Sequence, residues 1–231
     1  MRVKLISQWF DGLVSGIVTR VATMWAQRFR VGGLANRKMT KNTMPQLPII
    51  LDGSGVAVEV LQAIGYRTVL KKATIVSYNM QDYDFWGQGN LSRLLLRQLS
   101  LGASVRLLTT PPPGKPTNAS FRTKYLLLSE LEKNGVEIFL NEKLHAKAYL
   151  FWNSAGHATS IIGSANLTGP GFGMRLAPHD SLVEMAIISE EESFFLDANG
   201  FVDSTVILDK RTEDYATWFS RNSMEIGKAG L

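Results

Sequence analysis

The chain has 231 residues and a mass of 25.6 kDa, with 45% hydrophobic residues, 19% charged residues and a mean hydropathy of +0.00. This composition can bury a core, which excludes a disordered tail, a collagen-like fibre and a low-complexity sequence. The sequence has no cysteine, which excludes a disulfide scaffold, thiolate metal sites and a cysteine nucleophile. The formal charge of +5 favours anionic partners.

The N-terminal region carries much of the positive charge, since residues 1–51 hold eight Lys/Arg and a single Asp. Apolar residues recur at helical spacing from Leu5 to Val31, which predicts an amphipathic helix over residues 1–31. The segment lacks the unbroken apolar run of a transmembrane helix and the apolar region of a secretory signal. A helix docked on the domain, a dimer or membrane-surface helix, and an organelle-targeting segment remain as interpretations. Residues 32–48 are predicted to be a linker.

Residues 49–208 alternate between strand and helix patterns. We expect an α/β fold in which a central mixed β-sheet is flanked by helices. The segment 209–231 is interpreted as a C-terminal helical extension. Helices are predicted at Val56–Ile64, Asn90–Leu101 and Phe121–Lys133, and strands at Ala73–Tyr78, Val105–Thr110, Val136–Leu140, Leu144–Phe151, Thr159–Ile162 and Leu182–Ile188.

Candidate chemical groups concentrate between Leu144 and Glu184. If Leu144–Phe151 is a strand, His145 and Lys147 lie on the same face, about 7 Å apart along the chain. Ser164 and Asn166 show the same two-residue spacing just after the next predicted strand. Glu184 lies on a third strand that is otherwise apolar, where a carboxylate is costly unless it is paired.

These five residues suit phosphoryl chemistry that needs neither a metal nor another cofactor. A neutral imidazole can attack phosphorus, and a carboxylate on its other nitrogen would stabilise the cation that forms. The ammonium, amide and hydroxyl groups can hold the non-bridging phosphoryl oxygens. We therefore expect His145 as nucleophile, Lys147, Asn166 and Ser164 as phosphate contacts, and Glu184 as the group that orients the histidine.

The segments His145-Ala146-Lys147 and Gly163-Ser164-Ala165-Asn166 resemble the signature of the phospholipase D superfamily, His-x-Lys-x4-Asp followed by Gly-Ser-x-Asn. Glu184 falls where that family carries its histidine-orienting carboxylate. The resemblance covers about residues 49–208. Within the superfamily, the chain is similar to the single-motif nuclease branch. The sequence departs from the signature at Trp152, where the family has aspartate, and we interpret this as a changed support network.

The resemblance also implies a homodimer. The family brings two such motifs together, so that one histidine attacks and the other protonates the leaving oxygen. This chain has one His-x-Lys motif and no histidine before His145. An active site shared across a two-fold interface is therefore expected, and two-fold dimers are the commonest oligomers.

The expected substrate is DNA or RNA, because the N-terminal half is basic and no secretory signal is evident. Tyr78, at the end of the first strand, could stack on unpaired bases. Arg106 and Lys124 could contact the phosphodiester backbone. Two alternatives remain: a phospholipid-hydrolysing enzyme whose helix at residues 1–31 lies on a membrane, and a catalytically silent nucleic-acid-binding module. The expected location is the cytoplasm, with organelle targeting by the N-terminal segment left open.

Overall fold

The computed structural model describes residues 49–172 and 184–231. The predicted helix at 1–31 and linker at 32–48 lie outside the described residues. Eight strands form one sheet within these ranges. They are β1 (Ile49–Leu51), β2 (Leu70–Ser77), β3 (Ser104–Thr109), β4 (Glu137–Asn141), β5 (Lys147–Asn153), β6 (Ala158–Gly163), β7 (Ala186–Ser189) and β8 (Thr212–Asp214).

Five α-helices accompany the sheet in the part of the chain that the structure describes. They are α1 (Gly53–Ile64), α2 (Leu91–Ser100), α3 (Ala119–Lys133), α4 (Glu192–Phe201) and α5 (Tyr215–Lys228), with a π-helical segment at Val202–Ile207 directly after α4. Side chains cap two of the helices. Asp52 accepts a hydrogen bond from the Gly55 N–H at the start of α1, and Asp214 accepts one from Thr217 at the start of α5.

The sheet is mixed, with the strand order β1-β7-β6-β5-β2-β3-β4-β8. Strands β2, β3 and β4 are parallel, and every other neighbouring pair is antiparallel. The carboxyl ends of β2, β3 and β6 therefore lie at the same edge as the amino ends of β5 and β7. This edge carries every strand end from which a site residue was predicted.

Each face of the sheet has its own apolar core. The larger core contains buried residues of α1, α2, α3 and α5, including Val60, Leu94, Leu128 and Trp218. The smaller core lies under α4 and the π-helical segment and includes Phe195 and Val202. The mixed, helix-flanked α/β sheet predicted from the sequence is confirmed.

The C-terminal region is more integrated than an extension would be. Strand β8 pairs with β4 and forms one edge of the sheet, and α5 buries Trp218 and Ile226 in the larger core. The segment 209–231 therefore completes the domain. No helix in the described ranges is long and apolar enough to cross a membrane.

Candidate active site

Four adjacent strands bring the predicted motif residues to one level at the edge of the sheet. Ser77 of β2 is paired with Lys147 of β5, and Gly163 of β6 is paired with Ala186 of β7. The β5–β6 register pairs Ala148 with Ile162, so that Lys147 and Gly163 lie beside one another at the next position. The register thus places the His-x-Lys and Gly-Ser-x-Asn motifs at adjacent ends of the neighbouring strands β5 and β6.

His145 and Lys147 are brought together, but not by alternation along a strand. Strand β5 begins at Lys147 rather than Leu144, and the segment 144–146 before it is irregular. The exposed ring of Tyr78 contacts both residues, with its centroid 5.5 Å from the His145 centroid and 5.8 Å from Lys147 Nζ. The Lys147 ammonium also donates to the His145 carbonyl oxygen over 3.0 Å. The prediction that both residues share a strand is wrong, whereas their proximity is observed.

The electrostatic environment of His145 favours its neutral form. Partial burial, and then the neighbouring Lys147 charge, lower the pKa of His145 below its usual value. A neutral imidazole retains the lone pair that a nucleophile needs. Burial also lowers the pKa of Lys147, while Glu184 acts in the opposite direction. The site therefore combines an imidazole whose neutral form is favoured with the nearby, largely buried Lys147 side chain.

The loop that carries Asn166 is fixed to the ends of β2 and β5. The Leu167 N–H donates to Ser77 Oγ over 2.9 Å, and the buried Tyr149 hydroxyl donates to the Ala165 carbonyl over 2.6 Å. The Asn79 N–H donates to Asn166 Oδ1 over 3.2 Å. Because Oδ1 is the acceptor, the Asn166 Nδ2 group remains as a donor that can bind a phosphoryl oxygen.

Two glycines allow this loop to pack closely. A Cβ at Gly163 would lie 2.4 Å from the Met185 carbonyl oxygen. A Cβ at Gly171 would lie 2.4 Å from the carbonyl oxygen of Asn166 itself. Larger residues at either position would displace the loop. The close approach of Gly171 to Asn166 is a tertiary contact that no sequence motif indicates.

Ser164 and Glu184 form a pair beside the motif. The Ser164 hydroxyl donates to the Glu184 carboxylate, and the Met185 N–H donates to Ser164 Oγ over 3.0 Å. Glu184 precedes β7 rather than lying within a strand, and the described residues show no hydrogen bond between Glu184 and the His145 ring. The carboxylate predicted to orient His145 orients Ser164 in this structure.

Lys124 lies inside the domain, with only 3% of its surface exposed. Its Nζ donates to Thr110 Oγ1 over 2.8 Å and lies 3.5 Å from the Tyr78 carbonyl oxygen. The prediction that Lys124 contacts substrate directly therefore disagrees with its burial. Tyr78, by contrast, remains 43% exposed beside His145.

Arg106 belongs to a different part of the sheet. It lies in the middle of β3, paired with Thr74 and Glu137. Its guanidinium forms ion pairs with Glu137, at 2.7 Å, and with Asp203. Because two carboxylates already hold this cation, its placement does not support the predicted phosphate contact.

Trp152, which stands where the family signature has aspartate, lies away from the site. It lies on β5 five residues after Lys147, about 17 Å along the strand. Its ring packs edge-on against Phe195 at 5.1 Å, in the smaller core.

His157 lies in the exposed turn between β5 and β6, also remote from Lys147. Within the described residues, no three His, Asp or Glu side chains cluster as a metal site.

Comparison with known proteins agrees with this arrangement. Residues 66–200 match the family model described as "Cardiolipin synthase, PLD-like domain". The chain therefore belongs to the phospholipase D-like family, a class of phosphodiesterase or phosphotransferase domains. A search of curated proteins finds no match.

Three solved structures are similar to this chain at low sequence identity. The chain is similar to a phosphatidylserine synthase from Haemophilus influenzae Rd KW20, with a TM-score of 0.51 and 10% identity over 71% of this chain and 38% of that one. Polyphosphate kinase from Porphyromonas gingivalis gives a TM-score of 0.48 and 11% identity over 67% of this chain and 25% of that one. The archaeal chromatin protein TrmBL2 gives 0.46 and 9% identity over 90% and 68% of the two chains. The chain thus spans well under half the length of the first two.

Proposed function

We propose that the protein cleaves phosphodiester bonds in nucleic acid through a phosphohistidine intermediate. The observation that carries the proposal is the grouping of His145, Lys147 and Asn166 at one edge of the sheet. A lowered His145 pKa favours the nucleophilic form, and the two other side chains offer N–H donors for a phosphoryl group.

The proposed reaction has two balanced steps. His145 attacks phosphorus, a P–N bond forms, and the bond between phosphorus and the leaving oxygen breaks. The leaving oxygen takes a proton from a second imidazole, which enters this step as the imidazolium and leaves it neutral. That imidazole then removes a proton from water, whose oxygen attacks phosphorus and breaks the P–N bond. Lys147 and the Asn166 amide stabilise the charge on the non-bridging oxygens in both steps.

The second imidazole is proposed to be His145 of another copy. His157 lies in the turn at the opposite end of β5 and β6, so it does not meet His145 within the described fold. The third histidine, His179, lies outside the described residues. Apolar side chains are exposed on β1, on β7 and next to Glu184, namely Ile49, Ile50, Met185 and Ile187. Burial of these side chains against a second copy would bring the partner close to the site.

A mixing experiment tests the shared site. Wild-type chains are unfolded, mixed with an equal amount of His145→Ala chains and refolded, and activity is measured per wild-type chain. A shared site requires two intact histidines, so random pairing predicts a loss to about half. Activity per wild-type chain that is unchanged by the mixing would contradict the shared site.

The substrate is tested with labelled DNA, RNA and phospholipid, each incubated in EDTA with wild type, His145→Ala or His157→Ala. The proposal predicts nucleic-acid cleavage by wild type and by His157→Ala, the matched control, and none by His145→Ala. Net positive charge and the exposed Tyr78 ring beside the site support this choice of substrate. Cleavage that is lost in EDTA and restored by magnesium would contradict the mechanism.

Phospholipid is the second candidate substrate, because the matching family model is described by the name cardiolipin synthase. The same chemistry would apply, with an alcohol replacing water if the enzyme is a transferase. Turnover of phospholipid but not of DNA or RNA would favour this candidate. Flotation with liposomes, with and without residues 1–31, tests whether that segment binds a membrane. A protein that binds nucleic acid tightly, shows no turnover and never carries a phosphorylated His145 would instead be a catalytically silent binding module.

A further inference from the structure

A buried lysine lies beside the backbone carbonyl of Tyr78, the residue whose ring contacts His145. Lys124 Nζ, Thr110 Oγ1 and the Tyr78 carbonyl oxygen form a compact group. The Lys124 ammonium donates to Thr110 Oγ1 over 2.8 Å, and the Thr110 hydroxyl donates to the Tyr78 carbonyl over 2.8 Å. The Thr109 hydroxyl approaches the same carbonyl at 3.5 Å. The backbone of Tyr78 is therefore fixed by side chains from the end of β3 and from α3.

The charge of Lys124 has no carboxylate partner among the described residues. Burial alone accounts for the lowering of its pKa to about 7. Burial of an amine without an ion-pair partner is costly, because the charged form loses its hydration. An apolar residue of similar size could supply the same packing without that cost. Its position beside the candidate site indicates a role that packing does not supply.

We propose that Lys124 is a positioning residue of the active site, which acts through Thr110 and Tyr78 to hold the imidazole of His145. This inference rests on the proposed function. Lys124 cannot readily reach a substrate outside the domain, because it is 3% exposed. The Tyr78 ring is the connection, as it contacts both His145 and Lys147.

A positioning role predicts a specific kinetic pattern. Misplacement of a nucleophile lowers the rate of the chemical step more than it weakens substrate binding. Lys124→Met should therefore lower kcat by about tenfold and change KM by less than about twofold. A lysine that bound phosphate directly would instead raise KM and make it more dependent on salt.

The path through Thr110 is tested by a double-mutant cycle. Thr110→Val removes the hydroxyl that joins Lys124 to the Tyr78 carbonyl. It should reproduce the loss in kcat, and the double variant should lose no more than the larger single loss. Additive losses would contradict the path. If Lys124→Met fails to fold, Thr110→Val alone still decides the question, because the proposal requires the same effect from it.

A measurement on His145 itself separates this inference from the proposed function. The imidazole resonances of His145, assigned by comparison with His145→Ala, are followed by NMR in each variant. Lys124→Met and Thr110→Val should shift them in the same direction as Tyr78→Leu. Lys133→Met is the matched control, because Lys133 is an exposed lysine at the end of the same helix, and it should leave them unchanged.

The outcomes are distinct. Resonances of His145 that are unchanged in both Lys124→Met and Thr110→Val would overturn the positioning role, as would a rise in KM alone. If wild type cleaves no phosphodiester, the proposed function fails. The NMR comparison then still decides whether Lys124 and Thr110 position the imidazole.

Discussion

The middle of β3 and the site edge of the sheet differ in how their positive charges are paired. In the middle of β3, Arg106 is neutralised by Glu137 and Asp203, and Asp203 also accepts from the Asn199 amide. At the site edge, Lys124 and Lys147 are buried, and neither forms an ion pair with any described carboxylate. A cation held by two carboxylates has its counter-charge already. Of these two buried lysines, Lys147 lies beside His145 and is suited to a negatively charged ligand, whereas Lys124 is enclosed and contacts Thr110 and the Tyr78 carbonyl.

The largest expected effect comes from Lys147 at the site edge. Lys147→Met should lower kcat by about a hundredfold or more, because it removes a donor for the non-bridging oxygens. The free energy of unfolding should fall little, because no described carboxylate loses an ion pair. Steady-state kinetics and urea unfolding of the same preparation check both statements. A stable Lys147→Met protein with wild-type kcat would contradict this difference between the site edge and the middle of β3.

Lys124 should make stability depend on pH in a way that Arg106 does not. Burial lowers its pKa from 10.5 to about 7, so between these values the unfolded chain binds a proton that the folded one lacks. Stability from this group therefore rises as pH increases from 7 towards 10, by about 3 kcal/mol. Below pH 7 both states are protonated and the cost of burying the charge is complete.

The check is the difference in unfolding free energy between wild type and Lys124→Met at pH 6.5 and pH 9.5. Other titrating groups contribute similarly to both proteins. Lys124→Met should be the more stable protein at pH 6.5, with a smaller advantage at pH 9.5. A difference that does not change with pH would show that Lys124 is not a buried titrating amine.

Arg106→Met should have the opposite character from Lys147→Met. It leaves Glu137 and Asp203 without their cation, so the unfolding free energy should fall by about 1–2 kcal/mol, a modest value because these groups are partly exposed. Well below the melting temperature, kcat should change by less than about twofold. Urea unfolding together with kinetics at 25 °C checks this prediction. A large fall in kcat in a stable Arg106→Met protein would restore the predicted substrate contact.

Trp152→Asp restores the family signature and gives the smallest expected effect on activity. The position lies about 17 Å along β5 from Lys147, so kcat should not rise. Loss of the contact with Phe195 should lower stability by about 1–2 kcal/mol, because Trp152 is only partly buried. Thermal unfolding and kinetics check this. An increase in kcat of tenfold would show that the aspartate acts on the site.

The sequence predicted most of the central elements, because apolar alternation and helical spacing mark the buried strands and helices. It missed β1 and β8, which are three residues each and carry little periodicity. It also missed α4 and the π-helical segment, which begins where α4 ends. The π-helix departs from the 3.6-residue period on which such predictions rest.

The sequence predicted part of the site, because motif spacing and strand order are visible in it. His145, Lys147, Ser164 and Asn166 lie near neighbouring strand ends, where motif spacing and sheet order place them. The Ser164–Glu184 pair and the enclosure of Lys124 depend on contacts between residues 14 to 46 positions apart. Such partners are set by tertiary packing, which no local pattern encodes.

The central claim is that His145 becomes covalently attached to phosphorus. The most direct test is mass spectrometry after an alkaline quench, which preserves an acid-labile adduct. Wild type is denatured in alkali during turnover of a labelled phosphodiester in EDTA and is then digested, and the peptide that contains His145 is analysed. The account predicts a labelled, acid-labile adduct on His145 in wild type and in His157→Ala, and none in His145→Ala. Continued turnover with His145 unmodified at every time point, or turnover by His145→Ala, would contradict it.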